Sequence, residues 1–188
     1  MFDFDGTIVD TSEALFKAYS KAFKSACSIE LDRTVWNGLF GENIAKICEI
    51  LGVKDKVADV QKLKKEIYPK DFYSDMKLIK FSRDHYTKPD TFNIICTNTT
   101  KDVVEQICKH FNVWGYFDDV YDRTSVQYRK PDPEMFIKVR MEYDLIVEDK
   151  SYIFEDSDVG INAAKLFRNI FPGTVIYKVE GDSGYPII

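Results

Sequence analysis

Histidine is scarce in this sequence, and cysteine is never paired at short spacing. His85 and His110 are the two histidines, and Cys27, Cys48, Cys96 and Cys108 form no C-x-x-C pair. That leaves little from which to build a zinc site, and the cysteines read as reduced, buried thiols. No apolar run approaches the length of a membrane span, and no basic segment followed by an apolar one marks the N-terminus for export. Internal repeats and low-complexity stretches are missing too. There is no excess of positive charge: a net charge of −5 argues against broad attraction to nucleic acid or to an anionic membrane. The expectation is a cytoplasmic protein with no membrane and no nucleic-acid partner.

What is present is enough apolar material for a core. Hydrophobic residues make up 45% of 188 residues and aromatics 14%, which suits one sizeable domain or a core carrying a smaller insert. The first apolar stretch is only Met1-Phe2, running into Asp3-Phe4-Asp5-Gly6-Thr7. Asp10 with Glu13 predicts a helix N-cap and its reciprocal partner, ahead of Leu15, Phe16, Tyr19 and Phe23 at helical spacing. From about residue 13 to 76 the pattern is helical: Ile44, Ile47 and Leu51 share a face, as do Val57, Val60, Leu63 and Ile67. Beyond that the pattern changes. Short apolar runs at 92–96, 119–121, 152–154 and 174–179 predict strands, alternating with helices after 100, from Pro133 to Tyr143 and over Ile161–Phe167. Strands alternating with helices predict parallel βαβ units, an α/β fold.

Polar clusters follow these apolar runs at Asp3–Thr7, Thr97-Asn98 and Glu155-Asp156. In an open α/β sheet the carboxyl ends of the strands are where ligands bind, so the clusters are expected to converge. A pocket of this kind suits phosphoryl transfer. Asp3 would be the nucleophile, and Asp5, re-aimed by the turn at Gly6, the acid and then the base. A carboxylate attacking an anionic phosphate needs a cation between them. Hard oxygen ligands from Asp3, the Asp5 carbonyl and Asp156, with or without Glu155, suit Mg²⁺. Thr97 and the amides after it, at Asn98 and beyond, would hold phosphate oxygens, as would the Gly6 turn. Lys130, in Arg129-Lys130-Pro131-Asp132-Pro133, would offset the remaining charge. The bland readings are a simple turn for Asp3–Gly6 and an N-cap for Asp156. Asp158 reads as a loop or cap residue, and both histidines as surface residues.

Four motifs in order, FDFDGTIVD at 2–10, ICTNTT at 95–100, RKPDPEMF at 129–136 and FEDSDVGINAAK at 154–165, together with YFDDV at 116–120, make the sequence recognisable. It resembles the haloacid-dehalogenase-like (HAD) hydrolases, in the branch with phosphoglycolate phosphatase and β-phosphoglucomutase. The resemblance implies a Rossmann-like parallel-sheet core over 1–12 and 77–188, with a helical cap over 13–76. It implies a Mg²⁺-dependent phosphatase acting on a small phosphorylated metabolite, as a monomer or homodimer. Roles carry over as Asp3 nucleophile and metal ligand, Asp5 acid/base and carbonyl ligand, Thr97 phosphate contact, Lys130 charge stabiliser and Asp156 metal ligand. Glu155 matches a position that assists the metal in some members, and Gly160 would let its helix pack close. A phosphomutase is the rival activity, disfavoured because mutases of this branch carry a histidine in the first cap helix where this chain has Leu15. A non-catalytic phospholigand-binding protein is the rival class. Relatives carry more apolar residues before the first motif, so either the start lies upstream or a shortened strand is tolerated. Hinges are expected near 9–12 and 75–78, and Arg33, Lys46 and the 38–42 loop are candidates for substrate contact.

Overall fold

A computed structural model of the chain describes residues 1–39, 42–143 and 150–187. The chain divides into two compact units, Met1–Asp10 with Lys77–Ile188, and Thr11–Met76. Among the described residues, no helix is long and apolar enough to cross a membrane.

The first unit is α/β. Its strands are β1 (Val9–Asp10), β2 (Lys77–Leu78), β3 (Ile94–Cys96), β4 (Asp119–Tyr121), β5 (Tyr152–Glu155), β6 (Val175–Glu180) and β7 (Ser183–Ile187). β3 pairs parallel with β4 and β5 parallel with β6, while β7 returns antiparallel to β6. Between β3 and β5 runs the chain start, where Phe2 bridges both Ile95 and Phe154 in parallel sense. The shortness of that first run does not leave it unpaired. Phe2 N donates to Ile94 O (2.8 Å) and Asp3 N to Phe154 O (2.9 Å), while Phe2 O accepts from Cys96 N (2.7 Å) and Met1 O from Phe154 N (3.0 Å). Four backbone bonds and a stacked Phe2–Phe154 pair, with centroids 4.4 Å apart, anchor the residue before Asp3.

Helices of this unit are α5 (Lys80–Tyr86), α6 (Lys101–His110), α7 (Glu134–Glu142) and α8 (Asp158–Ile170), numbered after four in the insert. Met135, Phe136 and Val139 of α7 and Ala163, Ala164 and Phe167 of α8 pack with Ile94, Ile153 and Ile176 of the strands. Strand residues with no polar side chain among them are what a sheet covered by helices requires.

Among the described residues the second unit is helical, with no strand: α1 (Ser12–Cys27), α2 (Arg33–Asn37), α3 (Ile44–Ile50) and α4 (Val57–Ile67), with 3₁₀ turns at Lys54–Lys56 and Lys70–Asp75. Its core gathers Ala22, Phe23, Leu31, Trp36, Ile47, Cys48 and Val60, of which Phe23, Ile47 and Val60 lie on the apolar faces expected from the sequence. Asp32 caps α2, accepting from Thr34 N (2.8 Å) and Val35 N (3.2 Å).

Several expectations need correction. The N-cap of α1 is Thr11, with no side-chain cap bond, and not Asp10; Glu13 is drawn instead to Arg33 and Lys17. The segments expected as hinges are zipped together in part, as Val9 pairs with Leu78 and Asp10 with Lys77 in a short antiparallel ladder. α5 and β7 have no counterpart in the sequence reading. α8 starts three residues earlier than expected, so Asp158 opens a helix and is not a loop residue. His85 is half-buried, not at the surface, because its ring packs among Phe81, Phe154 and Tyr177 and its Nδ1 lies 2.8 Å from Phe81 O. Cys48, Cys96 and Cys108 are buried free thiols and Cys27 is half-buried. Burial pushes Cys96 and Cys108 up to about 12, which leaves them inert.

Candidate active site

Asp3 sits one residue past the Phe2 bridge, and its side chain accepts a bond from Lys130 Nζ at 2.9 Å. Lys130 lies 127 residues away in sequence yet is buried, and it also donates to Cys96 O and to Glu155 Oε1. One ammonium thus ties together the carboxyl ends of three chain segments: the first run, β3 and β5. Burial alone would lower the pKa of Lys130, but the Asp3 and Glu155 carboxylates outweigh it and hold the group charged, above its usual range. The stem of Lys130 comes from the loop before α7. There Asp132 Oδ1 accepts from Glu134 N (2.9 Å), and the Glu134 carboxylate accepts from Gln127 N and Tyr128 N.

The other carboxylates lie alongside. Asp3, Glu155 and Asp156 offer ligand oxygens all within 4.8 Å of one another. Burial, then the charge of Asp3, raises Asp156 to about 7, against a bond from Thr7 Oγ1 to its Oδ1 (3.2 Å) that works the other way. Burial likewise raises Glu155 well above the ordinary carboxylate range. Its Oε2 is buried without a hydrogen-bond partner. Three carboxylates against one ammonium, with one carboxylate oxygen orphaned, is a donor set short of positive charge. Hard oxygens at this spacing fit a divalent cation of the Mg²⁺ type.

Two glycines make the close packing possible. Gly6 has φ +78°, and a Cβ there would lie 2.2 Å from Asp156 Oδ2; a Cβ on Gly160 would lie 1.9 Å from Glu155 Oε2. Asp156 is not the N-cap of α8, since Ser157 takes that place, accepting from Gly160 N at 3.1 Å. The Gly6 amide donates to Val9 O (2.8 Å), so it is not turned to a phosphate, contrary to its expected role. Gly6 instead makes room for Asp156.

Asp5 and the loop after β3 complete the set. Phe4 is fully buried, and its carbonyl accepts from Thr7, Ile8 and Val9 amides, which holds the turn carrying Asp3 and Asp5. Thr97 is buried, its amide donating to Tyr121 O (2.9 Å) and its Oγ1 accepting from Thr99 N (3.1 Å). Asn98 is exposed. Thr99, not singled out in the sequence, donates from Oγ1 to Asp5 Oδ2. Thr7 was likewise passed over. Both are hydroxyls that meet a motif carboxylate only through the fold, Thr99 94 residues from Asp5 and Thr7 149 from Asp156, so no local sequence signal marks them.

Comparison with known proteins places this geometry. The sequence pattern of the haloacid dehalogenase-like hydrolases matches residues 1–168. The chain belongs to that family. A phosphorylated carbohydrates phosphatase from Thermotoga maritima is 27% identical over 172 residues, 88% of this chain and 79% of that protein. Among solved structures, one described as a predicted phosphoglycolate phosphatase from Haemophilus somnus superposes with a TM-score of 0.77 at 17% identity, over 93% of this chain and 81% of its own. CbbY from Rhodobacter sphaeroides, solved with phosphate, gives 0.72 at 24% identity over 87% and 80%. As a member of this family, with relatives named as phosphatases, the chain is a HAD-like phosphohydrolase with a Rossmann-like core.

Of the expected cap contacts, Arg33 lies over the Phe16 ring at 3.6 Å and pairs with Glu13, and Lys46 approaches Glu49 at 3.4 Å. Phe40 and Gly41, in the expected 38–42 contact loop, lie outside the described residues.

Proposed function

We propose that the chain is a Mg²⁺-dependent phosphatase that hydrolyses a small phosphomonoester through an aspartyl-phosphate on Asp3. The observation that carries this reading is the Asp3–Lys130–Glu155 chain of contacts beside Asp156. Asp3, Asp156 and the Asp5 carbonyl, with Glu155 behind them, would hold the ion; when bound it neutralises phosphate oxygens and lets a carboxylate approach them.

In the first half-reaction an Asp3 carboxylate oxygen attacks phosphorus. The bond to the ester oxygen breaks, and that oxygen leaves with a proton from Asp5. Thr97 and Lys130 hold the transferring oxygens in place, with Asn98 at the exposed edge of the same loop. In the second half, a water gives its proton to Asp5 while its oxygen attacks phosphorus, the bond to Asp3 breaks and phosphate is released. The helical unit is read as the cap that the family resemblance implies. Water is favoured over a second sugar hydroxyl as acceptor because Leu15, where related mutases carry histidine, is packed against the apolar core of the helical unit. A relative named for phosphorylated carbohydrates, and a CbbY variant solved with xylulose-1,5-bisphosphate, support a sugar-phosphate class of substrate.

A panel of phosphorylated metabolites assayed with and without Mg²⁺ tests the proposal. Phosphate release that needs the ion is expected. Isomerisation without release of phosphate would replace the phosphatase with a mutase.

A further inference from the structure

The α/β unit carries a second concavity, a groove of about 890 Å³ between the loop at 127–132 and α8. Tyr128 and Arg129 line it from the loop, and Asn162, Lys165, Leu166 and Asn169 from the helix. None of Asp3, Asp5, Thr97, Glu155 or Asp156 borders it. The four helix residues stand at i, i+3, i+4 and i+7, so they share one face of α8, while Ile161, Ala163, Ala164 and Phe167 are buried on the other. Two features of the exposed face work against the helix. Asparagine is a poor helix former, yet this face carries two, and neither makes a hydrogen bond among the described residues. Lys165 has no acid three or four positions away, whereas Lys80, Lys109 and Lys138 each pair with one, Asp84, Glu105 and Glu142. Local rules broken without a gain in packing point to a ligand.

The loop side is held so that its side chains are left to the groove. Gln127 N and Tyr128 N donate to the Glu134 carboxylate (2.9 and 2.7 Å), and Asp132 N donates to Arg129 O (2.9 Å). Arg129, like Lys165, forms no ion pair among the described residues. Asp132 is the one carboxylate on the groove, and its Oδ1 already accepts from Glu134 N at 2.9 Å. In a chain of net charge −5, two cations against one engaged acid make this groove a place for an anion. Tyr128 and Leu166, 59% and 48% exposed, add an aromatic ring and a branched apolar chain.

We propose that this groove binds a nucleotide, with its phosphate on Arg129 and Lys165 and its base against Tyr128 and Leu166. Guanidinium and ammonium groups suit phosphate oxygens, and a tyrosine ring offers a face on which a base can stack. The carboxamides of Asn162 and Asn169 present both donors and acceptors, as the edge of a base does. A lone phosphate would leave the ring and the carboxamides unused. The volume matches a ligand of nucleotide size.

Calorimetric titration with AMP, GMP, CMP and UMP tests the proposal, in EDTA so that the catalytic carboxylates hold no cation. At least one nucleotide is expected to bind with a Kd below about 1 mM, and inorganic phosphate about tenfold more weakly or worse. Lys165→Ala should weaken that nucleotide about tenfold while leaving Mg²⁺-dependent phosphate release unchanged. Asn162→Ala should weaken it about threefold and raise the melting temperature, because alanine suits an exposed helix position better. Four nucleotides that fail to bind, an affinity untouched by Lys165→Ala, or phosphate binding as tightly as the nucleotide would overturn the proposal. So would a Lys165→Ala variant that loses binding and phosphate release together, since that would put the nucleotide in the catalytic pocket.

Discussion

Both units carry ion pairs at the surface, but among the described residues only the α/β unit also buries them. In the helical unit the ion pairs lie at the surface: Lys24–Glu30 has side chains 70% and 82% exposed, and Arg33–Glu13 42% and 43%. In the α/β unit the Lys130–Glu155 pair is 3% and 0% exposed, with Asp3 next to it. Exposed pairs contribute little to stability, whereas a buried pair carries a desolvation cost that its mutual attraction only partly repays. An apolar cluster of similar volume would hold β3, β5 and the first run together at least as well. The buried charges are therefore best understood as serving chemistry, and the helical unit as a scaffold whose charges keep it in water.

That contrast can be broken most sharply at the nucleophile. Asp3→Asn should reduce turnover by about a thousandfold or more while leaving the circular dichroism spectrum intact. A partially active variant would deny Asp3 its role. Next in size is the metal. Chelation of divalent ions is expected to abolish phosphate release and lower the melting temperature, and adding Mg²⁺ back should restore both, since the ion relieves the carboxylates that burial and Asp3 push up. An apo protein as stable and as active as the loaded one would remove the cation from the account.

Stability offers the third test. Lys130→Met leaves Glu155 and Asp3 without their ammonium, and about 3 kcal/mol of destabilisation is expected from denaturant unfolding. Lys24→Met, in the exposed pair of the helical unit, should shift stability by no more than about 0.5 kcal/mol. Equal effects would erase the difference between the units. Below Lys130→Met comes Gly160→Ala: with no room for a methyl beside Glu155 Oε2, a loss of about 1–3 kcal/mol is expected from the overpacked helix start, with activity falling alongside it.

Strands β3 to β6 and most helices were legible because their apolar spacing is regular, as in Ile94–Cys96 and Val57–Ile67. The site was legible through its motifs, and the fold brings Asp3, Lys130, Glu155 and Asp156 into contact or near contact. What escaped notice depends on tertiary structure. β7, with Gly184 and Pro186 inside it, carries poor strand signals and exists because β6 offers it an edge. The Gly6 amide goes to Val9 O because the chain turns back to form the β1–β2 ladder, a pairing with residues about 70 positions away that no local pattern announces. Thr99 and Thr7 gain significance only once the carboxylates they touch are in place. Thr11, not Asp10, caps α1 because Asp10 is already committed to pairing with Lys77.

A trapped intermediate bears most directly on the claim that Asp3 takes up the phosphoryl group. Enzyme turning over p-nitrophenyl phosphate with Mg²⁺ is quenched in acid, reduced with borohydride and digested, and the peptides are weighed. Conversion of Asp3 to homoserine, dependent on substrate and absent in Asp3→Asn, is the predicted result. Conversion at a different carboxylate, or none in an enzyme that is turning over, would contradict it.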